Sequence, residues 1–192
     1  FIRSNYQREG LYQNGIYATN SFGKSEKVHF DNFGFKGGIL FKISGRQQLS
    51  INGAYLSNAP TMRNIFPNAR LNNLIVDGLQ SETINSLDVS YFFRTPKWQS
   101  RLSLFYASIK NITQTTFFYA EGIFDDGAGY ANTDAFVSQT LTDLDKQNLG
   151  GELSIQRQLT ATIMANFSVA YGQYIYNSNP NVSITNDAQA TI

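Results

Sequence analysis

Apolar and polar side chains alternate with a period of two through most of this chain. The longest example is Thr162–Tyr176, whose odd positions are mostly apolar or aromatic and whose even positions are mostly small or polar. The same alternation recurs in four further stretches, which are Phe33–Ile43, Leu49–Tyr55, Thr83–Phe93 and Asn148–Gln156. Successive side chains of a β-strand point to opposite faces, and helical spacing fits none of these stretches. The pattern therefore predicts an all-β fold.

One stretch of this kind is less regular than the others. In Trp98–Lys110 the apolar side chains fall on both faces of the predicted strand. Phe105 and Ile109 lie opposite the remaining apolar positions, which are Leu102, Leu104 and Tyr106. We still predict a strand here, with apolar side chains on both of its faces.

The connections between the predicted strands alternate between short and long. Ser44–Gln48, Thr95–Lys97 and Arg157–Ala161 have the length and composition of tight turns. Between them lie two long excursions, Ser57–Ser81 and Ala120–Thr133. We therefore expect the turns at one edge of a single antiparallel sheet and the long loops at the other. This is the layout of outer-membrane β-barrels, which have short periplasmic turns and longer extracellular loops.

The distribution of charge favours a membrane barrel over a soluble β-sandwich. Charged residues make up 15% of the chain, and none occurs from Gln158 to Asn186. A soluble sheet normally carries Lys and Glu on its solvent face. Aromatic side chains also cluster near the predicted strand ends, as an interfacial girdle requires. The candidate girdle residues are Tyr91, Phe93, Trp98, Tyr171 and Tyr174.

The composition argues against most catalytic and metal sites. The chain has no Cys, which excludes a thiolate zinc site and a Cys nucleophile, and its one His, His29, makes a Ser-His-Asp triad improbable. The acidic stretch Glu121–Tyr130 lacks the spacing of a calcium loop. A net charge of +1 without a basic stripe argues against nucleic-acid binding. We therefore predict no enzyme, no catalytic or metal-ligating residues and no cofactor.

Several segments, in order along the chain, resemble the barrels of TonB-dependent outer-membrane receptors of the Bacteroidota type. In this family a barrel strand is followed by an "aPt…F" segment, and this chain has a similar sequence in Gly45–Tyr55 with Asn58–Phe66. The "nLkpE" stretch before the next strand is similar to Gly78–Ile84, which leads into Leu87–Tyr91. Further similarity lies in Arg101–Asn111, Tyr6–Leu11 and Ala135–Gln147.

The resemblance implies an importer in the cell outer membrane. Such a receptor is a barrel of roughly 22 strands around a plug, opened by energy from an inner-membrane TonB complex. Residues 1–192 would be part of one β-barrel domain and supply about seven or eight strands, with the plug domain and the TonB box not present. The implied partners are outer-membrane lipid, the rest of the barrel and its plug, the TonB complex through the missing regions, and a surface lipoprotein. The implied cargo is a nutrient such as a siderophore or a glycan.

Two alternatives from other classes stay open at this point. The first is a complete small outer-membrane β-barrel of about eight strands, although such a barrel should end on a strand with a terminal aromatic and Ala190–Ile192 has none. The second is a soluble β-sandwich that binds carbohydrate or mediates adhesion. That module should carry charges on its solvent face, which the sequence lacks.

Overall fold

Eleven β-strands and one helical turn make up the described part of the chain, which is residues 1–13, 19–120 and 135–185 of a computed structural model. The helix α1 spans Met62–Ile65. In chain order the strands are β1 (Ile2–Tyr6), β2 (Glu9–Gly10), β3 (Gly23–Lys24), β4 (Val28–Asn32), β5 (Gly34–Ser44), β6 (Gln47–Asn58), β7 (Glu82–Thr95), β8 (Trp98–Ala120), β9 (Ala135–Gln158), β10 (Met164–Tyr176) and β11 (Asn181–Thr185).

The main sheet is an antiparallel meander. Strands β5 to β10 each pair with their neighbours in sequence, and β11 adds a seventh strand by pairing with β9. The pairing aligns Ile51 of β6 with Ile39 of β5 and with Val89 of β7. Every strand pair in the described part of the chain is antiparallel. The prediction of an all-β antiparallel fold is confirmed.

The three tight turns lie side by side at the same end of the strands of this sheet. The backbone N–H of Arg94 donates to the carbonyl oxygen of Arg46 at 2.8 Å, which joins the first turn to the end of β7. The N–H of Gln158 donates in the same way to the carbonyl oxygen of Lys97 at 2.9 Å. The segment between β6 and β7 leaves from the opposite end. The predicted arrangement of turns is therefore confirmed, while residues 121–134 lie outside the described residues.

The hairpin of β8 and β9 extends past the other strands on the loop side. Its ladder is interrupted where Asn111 and Asp143 adopt positive φ angles of 59° and 61°. Such bulges leave backbone groups unpaired, and side chains satisfy them here. The Asp145 carboxylate accepts from the N–H of Asn111, and the Ser178 hydroxyl donates to the carbonyl oxygen of Asp143. Beyond this point β11 pairs with β9 from Ser138 to Thr142.

A cluster of buried apolar side chains lies at the loop side of the described chain. Two further buried apolar side chains, Val137 and Leu144, belong to the loop-side part of β9. Phe30 of β4 packs with Ile65, the last residue of α1, and with Phe66, which follows it. Partly buried residues pack around them, namely Tyr6, Val28, Ala59, Ile75 and Leu79. We call this group the loop-end core. It packs the segment between β6 and β7 against the small β1–β4 sheet.

The main sheet has two unpaired edge strands in the described part of the chain, β5 and β10. β5 pairs only with β6 along its length, β10 pairs only with β9, and β5 and β10 do not pair with each other. The structure therefore contains a sheet and not a closed barrel. That residues 1–192 belong to one larger barrel domain stays a prediction.

The strand register can be tested with cysteine pairs, because the chain has no native Cys. The Ser90 and Ser103 hydroxyl oxygens lie 2.8 Å apart on paired strands. We expect Ser90→Cys combined with Ser103→Cys to form a disulfide under mild oxidation, seen as faster migration on a non-reducing gel. Ser90→Cys combined with Glu152→Cys is the control, since these residues lie two strands apart, about 9.5 Å, which is too far for a disulfide. Equal bridging in both pairs would contradict the register.

Candidate functional site

Apolar side chains predominate on one face of the six-stranded meander. Residues that are paired across antiparallel strands point to the same side of the sheet, so the register assigns each side chain to a face. We call this surface the apolar face. Its members are Phe35, Ile39, Phe41, Leu49, Ile51, Tyr55, Leu87, Val89, Tyr91, Leu102, Leu104, Tyr106, Leu149, Leu153, Ile155, Phe167, Val169 and Tyr171.

The apolar face is uncovered by the described part of the chain. The side chains of Phe41, Leu104 and Phe167 are 65%, 54% and 58% exposed. They lie on β5, β8 and β10, so the exposure extends across the whole sheet. Monomeric soluble proteins rarely expose a contiguous apolar patch of more than a few hundred Å². A second layer of some kind must therefore cover this face under working conditions.

Aromatic side chains lie near both ends of the apolar face, although at the loop end they are found on β5 and β6 and the row of Tyr55 continues with Asn85, Ser108 and Gln147. Near the turns these are Phe93 and Trp98, and near the loops Phe33 and Phe35 stack on Tyr55 with ring centroids 5.2 and 5.6 Å away. Tyr55 pairs with Asn85, eight residues before Phe93, which corresponds to about 27 Å along the strand. Strands tilted by about 40° would convert this length into a band about 20 Å tall, close to the ~25 Å band of outer-membrane barrels.

The predicted girdle residues do not all lie on one face. Tyr91, Phe93, Trp98 and Tyr171 lie on the apolar face, with Tyr171 in the row of Leu104, near the middle of the strands. Tyr174 pairs with Asn148 on the opposite face. There its ring lies 5.6 Å from the ammonium of Lys146, in a cation–π contact. The alternation within β10 thus places Tyr174 on the face opposite to the other four, while the girdle itself stays a prediction.

The opposite face of the meander is polar, and we call it the polar face. At its centre the hydroxyls of Ser90 and Ser103 are buried and hydrogen-bonded to each other at 2.8 Å. Beside them the Asn52 amide donates to the Asp88 carboxylate at 3.2 Å. Polar and charged members of this face include Lys36, Lys42, Gln48, Ser50, Asn52, Ser86, Asp88, Ser90, Arg94, Gln99, Arg101, Ser103, Lys146, Asn148, Glu152, Ser154, Gln156, Asn166 and Ser168, and apolar side chains such as Leu40 and Phe92 lie among them.

A pair of glycines accounts for the irregular pattern of β8. Phe105 lies on the polar face beside Gly150, and a Cβ at Gly150 would be only 2.5 Å from the Phe105 ring. On the apolar face, a Cβ at Gly151 would lie 3.0 Å from the Leu104 side chain. Each large β8 side chain therefore occupies space that a missing Cβ leaves on β9. Phe105 fills the polar face locally and does not mark a second apolar surface.

A concave surface that the sequence does not predict lies at the loop side. A cleft of about 630 Å³ is bordered by α1, the segment 66–70 and β8. The Arg63 guanidinium lies 5.1 Å from the Phe117 ring, and the exposed Arg70 borders the same cleft. A helix of one turn is too short to show a periodic pattern, so the sequence does not predict this surface.

Metal and catalytic groupings do not emerge from the described ranges. Within them no three His, Cys, Asp or Glu side chains come close enough to hold a metal ion. His29 is exposed on β4, and the acidic stretch Glu121–Tyr130 lies outside the described residues. Near the amino terminus, hydrogen bonds from the Arg3 guanidinium hold the pKa of the exposed Asp31 carboxyl below its usual range. The absence of catalytic function stays a prediction.

No family model, no curated protein and no solved structure matches this chain. Among the described residues, no helix is both long and apolar enough to span a membrane.

The close packing at Gly150 provides a test of the two-faced sheet. We expect Gly150→Ala to lower the free energy of unfolding by about 1–3 kcal/mol, because the added methyl group meets the Phe105 ring and the backbone carbonyl oxygen of Tyr171. Gly37→Ala is the matched control, since a Cβ there meets nothing within 4 Å. Urea unfolding of the full chain in non-ionic detergent, followed by circular dichroism, measures both. Equal effects of the two substitutions would contradict the described packing.

Proposed function

We propose that this chain forms part of the wall of a large outer-membrane β-barrel, in a TonB-dependent receptor that imports a nutrient. One observation carries the proposal. Six adjacent antiparallel strands present an exposed apolar face with aromatic ends, while their other face is polar. In such a wall the apolar face meets lipid and the polar face lines the lumen.

The two unpaired edge strands of the sheet, β5 and β10, support a large barrel over a complete small one. An eight-stranded barrel closes on itself and fills its narrow interior with its own side chains. Here β5 and β10 do not pair in the described part of the chain. The middle of the polar face is also lined mostly by small residues, which are Gly38, Ser50, Ala54, Ser86, Ser90, Ser103, Ala107, Gly150, Ala170 and Gly172. Small side chains leave room for separate contents, such as a plug.

The single-layered meander counts against the soluble sandwich. A β-sandwich buries the inner faces of two sheets against each other in a core about 10 Å thick. The apolar face here has no second sheet over it within the described residues, and the side chains of the loop-end core are buried outside it. Carbohydrate binding or adhesion by a sandwich would need that missing sheet.

The receptor type and the direction of transport rest on the resemblance of the sequence. In this role the tight turns would face the periplasm, and the loop-end core and its cleft would lie on the extracellular side, where a nutrient or a surface lipoprotein first makes contact. The rest of the barrel would pair with β5 and β10. Coupling to the TonB complex would pass through parts of the receptor outside this chain.

Trp98 is the only tryptophan and reports directly on the apolar face. In phospholipid vesicles we expect its fluorescence to be quenched by lipids brominated near the headgroup and less by lipids brominated near the chain ends, because Trp98 lies at the turn end of the band. The control combines Trp98→Phe with Phe105→Trp, which moves the indole to the polar face of the same strand. That variant should escape lipid quenching. Quenching of Trp98 by aqueous acrylamide alone would contradict the proposal.

A further inference from the structure

Positive side chains gather on the polar face at its turn end. Arg46, Arg94 and Arg101 border a cleft of about 520 Å³ whose remaining lining includes Gln48, Gln99, Ser154 and Gln156. Lys42 lies beside them, paired with Gln48. We call this group the basic cleft and define it by Lys42, Arg46, Arg94 and Arg101. Four cations on one end of one face form a local excess of positive charge.

The guanidinium groups of the basic cleft form no ion pair within the described part of the chain. The one ion pair found there joins Arg3 to Asp31, far from this cleft in sequence and at the loop side. Arg101 donates through Nε to the Ser103 hydroxyl at 2.9 Å and lies over the Phe92 ring at 5.3 Å. These two contacts orient the group and leave its terminal N–H donors unused. The side chains of Arg46 and Arg94 make no hydrogen bond within the described residues.

The charges of the basic cleft extend over more than one small anion can reach. Lys42 lies on β5 and Arg101 on β8, three strand spacings apart, which is about 14 Å. A single carboxylate or phosphate would contact only two of these cations. On β6, β7 and β8 the neighbouring row consists of Ser50, Ser90 and Ser103, whose small side chains let a backbone lie close to the sheet.

We propose that the basic cleft binds an acidic polypeptide segment that lies across strands β5 to β8 with its carboxylates on Arg46, Arg94 and Arg101. Arginine suits this task because its planar group can bind a carboxylate through two parallel hydrogen bonds. The inference goes beyond the proposed function, since it needs only the polar face and its charges. It would stand whether lipid or another protein covers the apolar face.

The test uses the full 192-residue chain in non-ionic detergent and two synthetic peptides. One is a Gly/Ser peptide with four Glu residues and a neutral dye, and the other has Gln in place of each Glu. Fluorescence anisotropy measures binding. We expect the Glu peptide to bind at least tenfold more tightly than the Gln peptide and to weaken as salt is raised. Equal binding of the two peptides would overturn the inference.

Substitutions locate the site on the protein. Arg94→Gln combined with Arg101→Gln should weaken binding of the Glu peptide roughly tenfold, as expected for two exposed ion pairs. Arg94→Lys combined with Arg101→Lys keeps the charge and should stay within about threefold of the original chain. Lys24→Gln combined with Lys27→Gln removes the same charge at the loop side and should have no effect. An equal loss in the Lys24 and Lys27 variant would show non-specific charge attraction and overturn the assignment.

Competition separates a polypeptide from a small anion. Inorganic phosphate or acetate at the concentration of the Glu peptide should not displace it, because neither can span the cleft. Displacement by either anion at equal concentration would mean that the cleft is a small-anion site and would refute the polypeptide. Trp98 fluorescence, which reports on the other face, identifies any variant that has failed to fold.

Discussion

The pairing register of the meander is the constraint on which the rest of this structure depends. In an antiparallel sheet each side chain shares a face with its cross-strand partner, so a slip of one residue would exchange the two faces. From β5 to β10 the register keeps Ile39, Ile51, Val89 and Leu104 in one row across four strands. The tight turns preserve that alignment from one hairpin to the next. An extended apolar surface and an extended polar surface both follow from this register.

Stability is distributed unevenly as a consequence. The loop-end core buries Phe30, Ile65 and Phe66, whereas β5 and β10 are exposed along both faces. A sheet of this kind has its backbone hydrogen bonds but not the burial of apolar surface that normally offsets the entropy of folding. The missing burial must come from whatever covers the apolar face. Lipid supplies it in the function proposed here, and a plug would cover the polar face.

Much of the fold could be predicted from the sequence, because period-two alternation specifies strands and their faces at once. The pattern predicts the three tight turns and the six strands of the meander, but not β1 to β4, β11 or the loop-side extensions of β8 and β9. It leaves β8 ambiguous, since the contact between Phe105 and Gly150 joins residues on different strands. Tyr171 and Tyr174 are close in sequence and fit one girdle by position, but their odd spacing on β10 puts them on opposite faces. The loop-end core was also missed, because Ile65 and Phe66 follow no periodic pattern and meet Phe30 only through tertiary packing.

Lipid contact by the apolar face is the central claim, and nitroxide labels along β8 test it most directly. The chain has no Cys, so each single-Cys variant carries one label. In phospholipid vesicles we expect collisions with oxygen, which concentrates in lipid, to rise and fall with a period of two. They should be frequent at Leu102, Leu104 and Tyr106 and rare at Ser103, Phe105 and Ala107. Uniformly low oxygen collisions, or collisions with a water-soluble nickel chelate that dominate at both sets of positions, would contradict the account.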